Sequence, residues 1–383
     1  MLRRHLLRTW IATPLIGWLR LWPRFASAGA PIDGPNAAEA YRKAFVWVKG
    51  LRPEESAWLR KSEAIAIEDR QVETILKQAR PALRAIREAA KSDRCDWGTG
   101  TVTSEMLGKG HFDASNLNLI RVACLSARRH SRAGRTRDAL DDLFAGLTLA
   151  HRIGTGGVLI SRSLECGGEI AAFQTLGRIL PGLGRDGLDD LSRRLDALPP
   201  PEPASAVIGP ESRFILGYLR PKLEAVGPTI EDDEWAKIGL DAEEAAALKT
   251  LTGGDREKLL RHLEATGPAF AELARRLDLP RPGCRAALDE FARTEQATQP
   301  IVAGLVENAW GIRHVVDRMK AMRSMLRAGI ALVRDGEAAF RAVPDPFGTG
   351  PFGLERRGKS DLIRSALDDG RKPEVSLSVG EEG

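Results

Sequence analysis

The chain has 383 residues, of which 43% are hydrophobic, which is enough for two domains with packed cores. Lysine and arginine total 57 against 52 acidic residues, but five of the arginines lie in residues 1–28, so the remainder is balanced at 52 against 52. A formal net charge near zero gives no long-range attraction to phosphate polymers, which excludes nucleic-acid binding driven by overall charge.

Residues 1–28 have the pattern of an export signal. Arg3 and Arg4 precede an apolar run over residues 9–19, and the small residues 26–28 form a typical cleavage site. The apolar run is shorter than the roughly 20 residues that a bilayer requires. We therefore expect a mature chain in the periplasm or cell envelope, with no stable transmembrane span.

The same leader is similar to a twin-arginine signal, because the paired arginines are followed by two leucines and a third arginine at Arg8. The alternatives are a general secretory signal, an uncleaved anchor and a basic amphipathic helix. The sequence leaves the export route open among these.

Residues 29–198 are predicted to form an N-terminal helical-hairpin domain, because Ala, Leu, Arg and Glu dominate and β-branched runs are few. Asn36 is expected to cap the first helix, and a second helix is expected to start near Arg52. Helical periodicity then extends from 68 to 90, where Pro81 is predicted to kink or break the helix.

The strongest helical pattern lies between residues 115 and 180. One helix is predicted to end at Arg132, Gly134 to make the turn, and a second helix to cover 136–153. The pair resembles one tetratricopeptide unit, although Ala123 and His130 stand where that unit usually has Trp and Tyr. The positions that match its packing pattern are Ala127, Gly134, Ala139 and Leu143. A third helix to Leu180 and a fourth over 186–198 would complete a helical-hairpin array.

A proline-rich linker, residues 199–205, is predicted to separate this array from a C-terminal helical domain at 206–343. Helices are expected over 211–226, 241–251 and 255–277, followed by a long run over 284–340 that Pro300 divides.

The tail, residues 344–383, changes character. Asp345-Pro346-Phe347-Gly348 is a turn sequence, and strands are predicted at 352–356, 361–367 and 374–379, with turns at Gly358 and at 369–370. This arrangement resembles the C-terminal segment of exported pilin-like proteins, but it lacks their Gly/Asp-rich calcium-binding tail. The predicted fold class is mainly α: a tetratricopeptide-like hairpin array, a second helical region and a small antiparallel β-meander.

Four cysteines, Cys95, Cys124, Cys166 and Cys284, would permit two disulfides in three connectivities, or could remain unpaired as small hydrophobes. None is in a CxxC pair, and none lies at metal-ligand spacing from a histidine. The sequence therefore predicts no metal site and no cofactor.

The densest basic cluster includes Arg128, Arg129, Arg132 and Arg135, which could bind a carboxylated or phosphorylated envelope polymer or a protein partner. The alternative is a solvated helix face that is paired with the neighbouring aspartates of residues 138–142.

Cys95, Asp96 and His111 supply the groups of nucleophilic catalysis within one polar loop, although a loop held in place by Trp97 is the favoured explanation of these residues. Glu165 and Glu169 lie one helical turn apart and could face a groove as paired acids, a spacing that is also common on helix surfaces. Gly154–Gly157 has the composition of a phosphate loop but follows a helix, so an interhelical turn is predicted. HExxH, GxSxG and GxGxxG motifs are absent from the sequence.

The leader, the sequence from Asn36 to Tyr41, Cys95-Asp96-Trp97, the Gly134 hairpin and the Asp345-Pro346-Phe347 tail together resemble a group of exported, mostly helical proteins of planctomycete-type bacteria. The resemblance implies a helical fold and export, and it implies no activity. The leading hypothesis is a non-enzymatic helical scaffold or binding protein of the envelope. The alternatives are a hydrolase-like envelope enzyme using the Cys95 and His111 loop, or a pilin-like assembly subunit.

Overall fold

The computed structural model describes residues 35–62, 65–98, 110–155, 157–240, 242–368 and 374–380. The leader, part of the loop after Trp97 and the predicted turn at 369–370 lie outside these residues. The described chain is mainly helical and ends in a small antiparallel sheet, which confirms the predicted fold class.

The N-terminal helices follow the predicted order. They are α1 Ala37–Lys49, α2 Pro53–Leu59, α3 Arg70–Ala90, α4 Leu117–Arg132, α5 Thr136–Gly154, α6 Leu159–Ile179 and α7 Gly184–Asp196. The Asn36 side chain accepts a hydrogen bond from the Ala38 amide, as expected of a cap. Gly134 has φ +69, which is the left-handed conformation that the turn between α4 and α5 requires.

A break at Pro81, one of the two predicted outcomes, is wrong, because α3 runs through the proline as one helix. Pro81 lies on the exposed side of the helix, where water can reach the carbonyl of Lys77 that has lost its donor. The opposite face is buried along the whole helix, from Val72 to Ala89, so tertiary packing holds the helix across the proline.

The second helical region consists of α8 Ile208–Glu224, α9 Glu234–Ile238, α10 Ala242–Thr252, α11 Arg256–Glu264, α12 Gly267–Leu277, α13 Arg281–Glu295, α14 Pro300–Ala303, α15 Val306–Asp335 and α16 Glu337–Arg341. The helix predicted over 255–277 is in fact two helices. Proline in the first turn of α12 has no amide to donate, so it starts a new helix after Glu264. Pro300 divides the following run, as predicted.

The sheet has the order β1-β2-β3, with strands Gly353–Arg357, Ser360–Arg364 and Ser376–Val379, all antiparallel. Gly358 has φ +62 in the turn between the first two strands. The second strand is shorter than predicted, because the Asp345 carboxylate accepts hydrogen bonds from the Ser365 hydroxyl and the Ala366 amide. The Ser365 amide still donates to the Val375 carbonyl at 3.0 Å, and from Ala366 onward the chain bonds to the turn sequence.

The sheet packs against both α6 and α15. Gly177 on α6 allows the closest approach, because a Cβ at this position would lie 2.5 Å from the Ser378 carbonyl oxygen. The Gly380 amide donates a hydrogen bond to the Gly177 carbonyl at 3.1 Å. The tail is thus joined to the first helical region as well as to the helix that precedes it.

The buried hydrophobic residues on both sides of the 199–205 segment belong to one continuous core. Arg323 on α15 donates hydrogen bonds to the carbonyls of Leu195, Leu198 and Pro199, which fixes the end of α7 and the start of the segment against the second region. Among the described helices, none combines the length and the apolar composition that crossing a bilayer requires.

Candidate functional site

Trp97 lies at the centre of an aromatic cluster at the end of the N-terminal hairpins. Its ring centroid is 5.9 Å from those of Tyr41 and Phe45, and 4.4 Å from that of His111. Its indole Nε1 donates a hydrogen bond to the Arg152 carbonyl at 2.9 Å. This geometry fixes the loop to α1 and α5, in agreement with the interpretation that Trp97 holds the loop in place.

The titratable groups of the same loop are not activated for nucleophilic catalysis. Burial, with a smaller contribution from Arg42, lowers the pKa of His111 to about 4. Burial also raises the pKa of the Cys95 thiol, against the opposing effects of Arg152 and Arg42. A catalytic cysteine needs a lowered thiol pKa or a base in contact, so this arrangement gives no support to the hydrolase hypothesis.

The four arginines of the predicted anion site have different surroundings. Arg128 is buried, and its Nη1 donates to the carbonyls of Ser62 and Ile65, at 3.3 and 2.9 Å. Arg129 and Arg132 are exposed on α4 and pair with Glu73 and Glu68 of the α3 region. Arg135 is exposed at the start of α5. Anion binding here therefore stays a prediction for three surface arginines, while Arg128 holds the loop before α3.

The four cysteines are free thiols, and Cys124, Cys166 and Cys284 are buried. Burial raises the pKa of Cys166 and Cys284, which makes both thiols poor nucleophiles. They fill the core as small hydrophobes, which is the unpaired alternative that the sequence left open.

A buried polar cluster joins α5 to α6. His151 from α5 meets Glu165 and Glu169 from α6, and one ligand atom of each lies within 4.8 Å of the others. We call these three residues the His151 cluster. His151 Nδ1 is 3.0 Å from Glu165 Oε1, and Glu165 is only 2% exposed. The paired acids noted in the sequence are thus packed between two helices and accompanied by an imidazole.

Arg162 is the immediate cation of this cluster. Its Nη1 donates to Glu165 Oε2 at 2.6 Å and lies 3.5 Å from a carboxylate oxygen of Glu202. Burial and the adjacent Glu165 charge raise the pKa of Glu169 to about 7, against the effect of Arg162. The site brings three carboxylates together around one guanidinium.

Gly154 makes the close packing of α5 on α6 possible at this point. An added Cβ would overlap the carboxylate of Glu165, and its distance to Glu165 Cβ would be 2.9 Å. Gly154, Thr155 and Gly157, the described residues of the glycine-rich segment, therefore belong to the connection between α5 and α6 that leaves room for a side-chain carboxylate, as its position after a helix indicated.

The second candidate is a cleft of about 830 Å³ between α13, α15 and the tail. One side presents Arg281 and Arg285 from α13, and the floor is formed by α15 around Trp310. The tail supplies an apolar side through Phe347 and Leu367. We call this the Trp310 cleft.

Two arginines of α13, Arg281 and Arg285, lie over the ring of Trp310. The guanidinium carbons of Arg281 and Arg285 lie 5.4 and 5.8 Å from the ring centroid, within the range of cation–π attraction. Asp317 is 1% exposed and accepts hydrogen bonds from Arg281 and from Arg313. One buried carboxylate therefore holds two guanidinium groups, which leaves one positive charge uncompensated within that group.

Arg285 is held more loosely than Arg281. Its partners are the carboxylates of Asp289 and Glu307, whose side chains are 46% and 73% exposed. Exposed ion pairs of this kind contribute about 0–1 kcal/mol. An incoming carboxylate can therefore replace one of these partners at little energetic cost.

The sequence did not predict that the residues of either candidate site lie close together in the fold. Glu165 and Glu169 were noted, but His151 was not, since its contact with them depends on the turn between α5 and α6. Arg281 and Arg285 share one helix face at i and i+4, and that spacing was the available signal for the cleft, while Trp310 lies 25 residues further along the chain. No protein-family model matches the chain, and no curated protein or solved structure matches it.

Proposed function

We propose that the protein is an exported, non-enzymatic binding protein of the cell envelope, and that the Trp310 cleft receives a short acidic and partly apolar segment of a partner protein. The observation that carries the proposal is the cation–π assembly of Arg281, Arg285 and Trp310 inside an 830 Å³ cleft.

The chemistry of the two sides defines the segment. Arg281 is fixed by buried Asp317 and by the Asp368 carbonyl, so its position requires no reorganisation on binding. Arg285 can exchange an exposed partner for a carboxylate of the ligand, through a charge-assisted and potentially bidentate hydrogen bond. Phe347 and Leu367 offer the apolar contact on the opposite side. We therefore expect an Asp or Glu in the partner, close to an aliphatic or aromatic residue.

A random peptide library displayed on phage and selected on the full mature chain tests this. Enriched sequences are expected to combine acidic with apolar residues, and the corresponding synthetic peptides to lose affinity as salt rises. Arg285→Gln should weaken their binding about tenfold or more, because it removes a charge-assisted hydrogen bond worth roughly 1.5–3 kcal/mol.

Arg220→Gln is the matched control, because Arg220 is an exposed arginine on α8 that pairs with Glu264 away from the cleft. Peptide affinity unchanged by Arg285→Gln, or lowered equally by Arg220→Gln, would contradict the proposal. Tighter binding of an acidic polysaccharide such as polygalacturonate would assign the cleft to an envelope polymer instead of a protein segment.

The export half of the proposal rests on residues 1–28 and has its own test. Intact mass of the protein recovered from cell fractions should begin at Gly29 in the periplasmic or envelope fraction. A full-length chain in the cytosol would overturn export without affecting the binding experiment.

A further inference from the structure

We propose that His151 Nδ1, Glu165 Oε1 and a carboxylate oxygen of Glu169 form a binding site for one divalent transition-metal ion of the zinc class. The proposal does not depend on the Trp310 cleft, which the chain builds from other helices.

The donor set and its spacing fit such an ion. One imidazole and two carboxylates are common zinc ligands, and they bind at about 2.0–2.2 Å. Two ligands at that length lie about 2.8–3.6 Å apart for angles between 90° and tetrahedral, a range derived from those bond lengths. The observed 3.0 Å between His151 Nδ1 and Glu165 Oε1 falls in this range. Glu169 completes three donors within 4.8 Å of one another, a wider limit, so an ion would draw the carboxylates closer together.

The surroundings orient the ligands and balance the charge. Arg162 donates to Glu165 Oε2 and leaves Oε1 directed toward His151, which is the role that an outer hydrogen-bond donor has around metal ligands. The ionised carboxylates of Glu165, Glu169 and Glu202 carry three negative charges. Arg162 and one monovalent cation would neutralise two of these charges and leave one. Two other cationic groups lie nearby: His151 itself, whose pKa the hydrogen bond to Glu165 raises, and Arg323, whose Nη atoms are engaged by the carbonyls at the end of α7. A divalent ion that displaces the His151 proton would therefore bring the cluster close to neutrality.

The site also has access. The His151 side chain is 48% exposed, so an ion can reach the cluster from solvent without opening of the core. Three protein ligands leave a fourth position, which water or an anionic group of a ligand would fill.

Another histidine of the chain provides a matched control. His130 lies between Asp138 and Asp142, but its Nδ1 faces the first at 3.8 Å and its Nε2 faces the second at 3.5 Å. Opposite ring nitrogens cannot direct two carboxylates to one ion. His130→Gln should therefore leave metal binding unchanged, while His151→Gln should remove a ligand.

The experiment is isothermal titration of ZnCl₂ into the full mature chain without a polyhistidine tag, with thermal unfolding measured in parallel. We expect one ion per chain, an affinity at least tenfold lower in both His151→Gln and Glu169→Gln, and a zinc-dependent rise of Tm in the parent chain and in His130→Gln only. MgCl₂ should bind far more weakly, because magnesium prefers oxygen ligands.

A stoichiometry below one, or an affinity that His151→Gln leaves at the parent value, would overturn the site. Zinc held by the half-buried Cys95 thiol would give that second result. Thermal unfolding of the variants without metal shows whether they are folded, and His151 is exposed enough that its replacement should leave the fold intact.

Discussion

His111 should make the stability of this protein depend on pH in a mildly acidic range. The ring is 5% exposed, is stacked on Trp97, and its Nε2 is buried without a hydrogen-bond partner among the described residues. Its pKa falls from 6.5 to about 4, because burial disfavours the imidazolium and Arg42 adds repulsion. The unfolded chain therefore binds a proton at a higher pH than the folded chain does.

The sign and size follow from proton linkage. The pKa of His111 is lower in the folded chain than in the unfolded chain. The contribution of His111 to the free energy of unfolding is therefore complete above pH 6.5 and is lost as the pH falls toward 4. With these two values, the contribution of His111 to the free energy of unfolding should fall by about 2 kcal/mol between pH 7 and pH 5, and by about 3 kcal/mol once the pH is below 4. Glu169, whose pKa burial raises to about 7, acts in the opposite direction over this range, so the His111 contribution is read from the difference between two proteins that both carry Glu169. The carboxylates with the most strongly lowered pKa, Glu272 and Glu355 at about 2, begin to lose their contribution near the unfolded value of 4.5, so the comparison of pH 7 with pH 5 largely avoids them.

The assay is urea unfolding at pH 7 and at pH 5 for the parent chain and for His111→Phe, which keeps an aromatic ring against Trp97 but cannot be protonated. The parent should lose about 2 kcal/mol more than the variant between the two pH values. The burial of His130 and His262 also lowers their pKa, but these residues are present in both proteins, so the difference isolates His111. Equal losses in the two proteins would refute the assignment of a buried neutral His111.

Two further predictions concern the backbone. Pro81→Ala should raise the free energy of unfolding by about 1–3 kcal/mol in denaturant titrations, since alanine restores an amide donor inside α3; a decrease would mean that the proline is not strained there. Gly177→Ala should lower the free energy of unfolding by more than about 2 kcal/mol, because the added Cβ would press on the Ser378 carbonyl. The control is Gly217→Ala on α8, where the added Cβ would lie in open space, so this variant should be neutral or stabilising by up to about 1 kcal/mol. Equal effects of the two glycine variants would contradict the close contact of β3 with α6.

Local signals in the sequence predicted the elements well where one residue decides the conformation. Asn36 caps α1, Gly134 turns the chain between α4 and α5, and Gly358 turns it between the first two strands. Pro81 and the 255–277 segment show the limit of such signals. Proline is tolerated inside α3, because packing of the opposite face holds the helix together. At α12 a proline in the first turn starts a new helix.

The candidate sites depend on contacts between elements, which no local pattern contains. His151 and Glu165 are on different helices and meet because a short turn folds α6 back on α5. Arg281, Trp310 and Phe347 are separated by about 30 residues or more, and they converge because α15 contacts both α13 and the tail. Their residue types are ordinary in the sequence, and only the packing brings them to one cleft.

Photo-crosslinking in living cells tests the central claim most directly. A photoreactive phenylalanine analogue replaces Phe347 in the cleft, and in a control it replaces Val46, an exposed apolar residue on α1 that is 68% accessible. The account predicts a discrete adduct with an envelope protein from position 347 that is absent from position 46 and is lost when Arg285→Gln is added. Identical adducts from both positions, or none from the cleft, would contradict the assignment of the Trp310 cleft as the binding site.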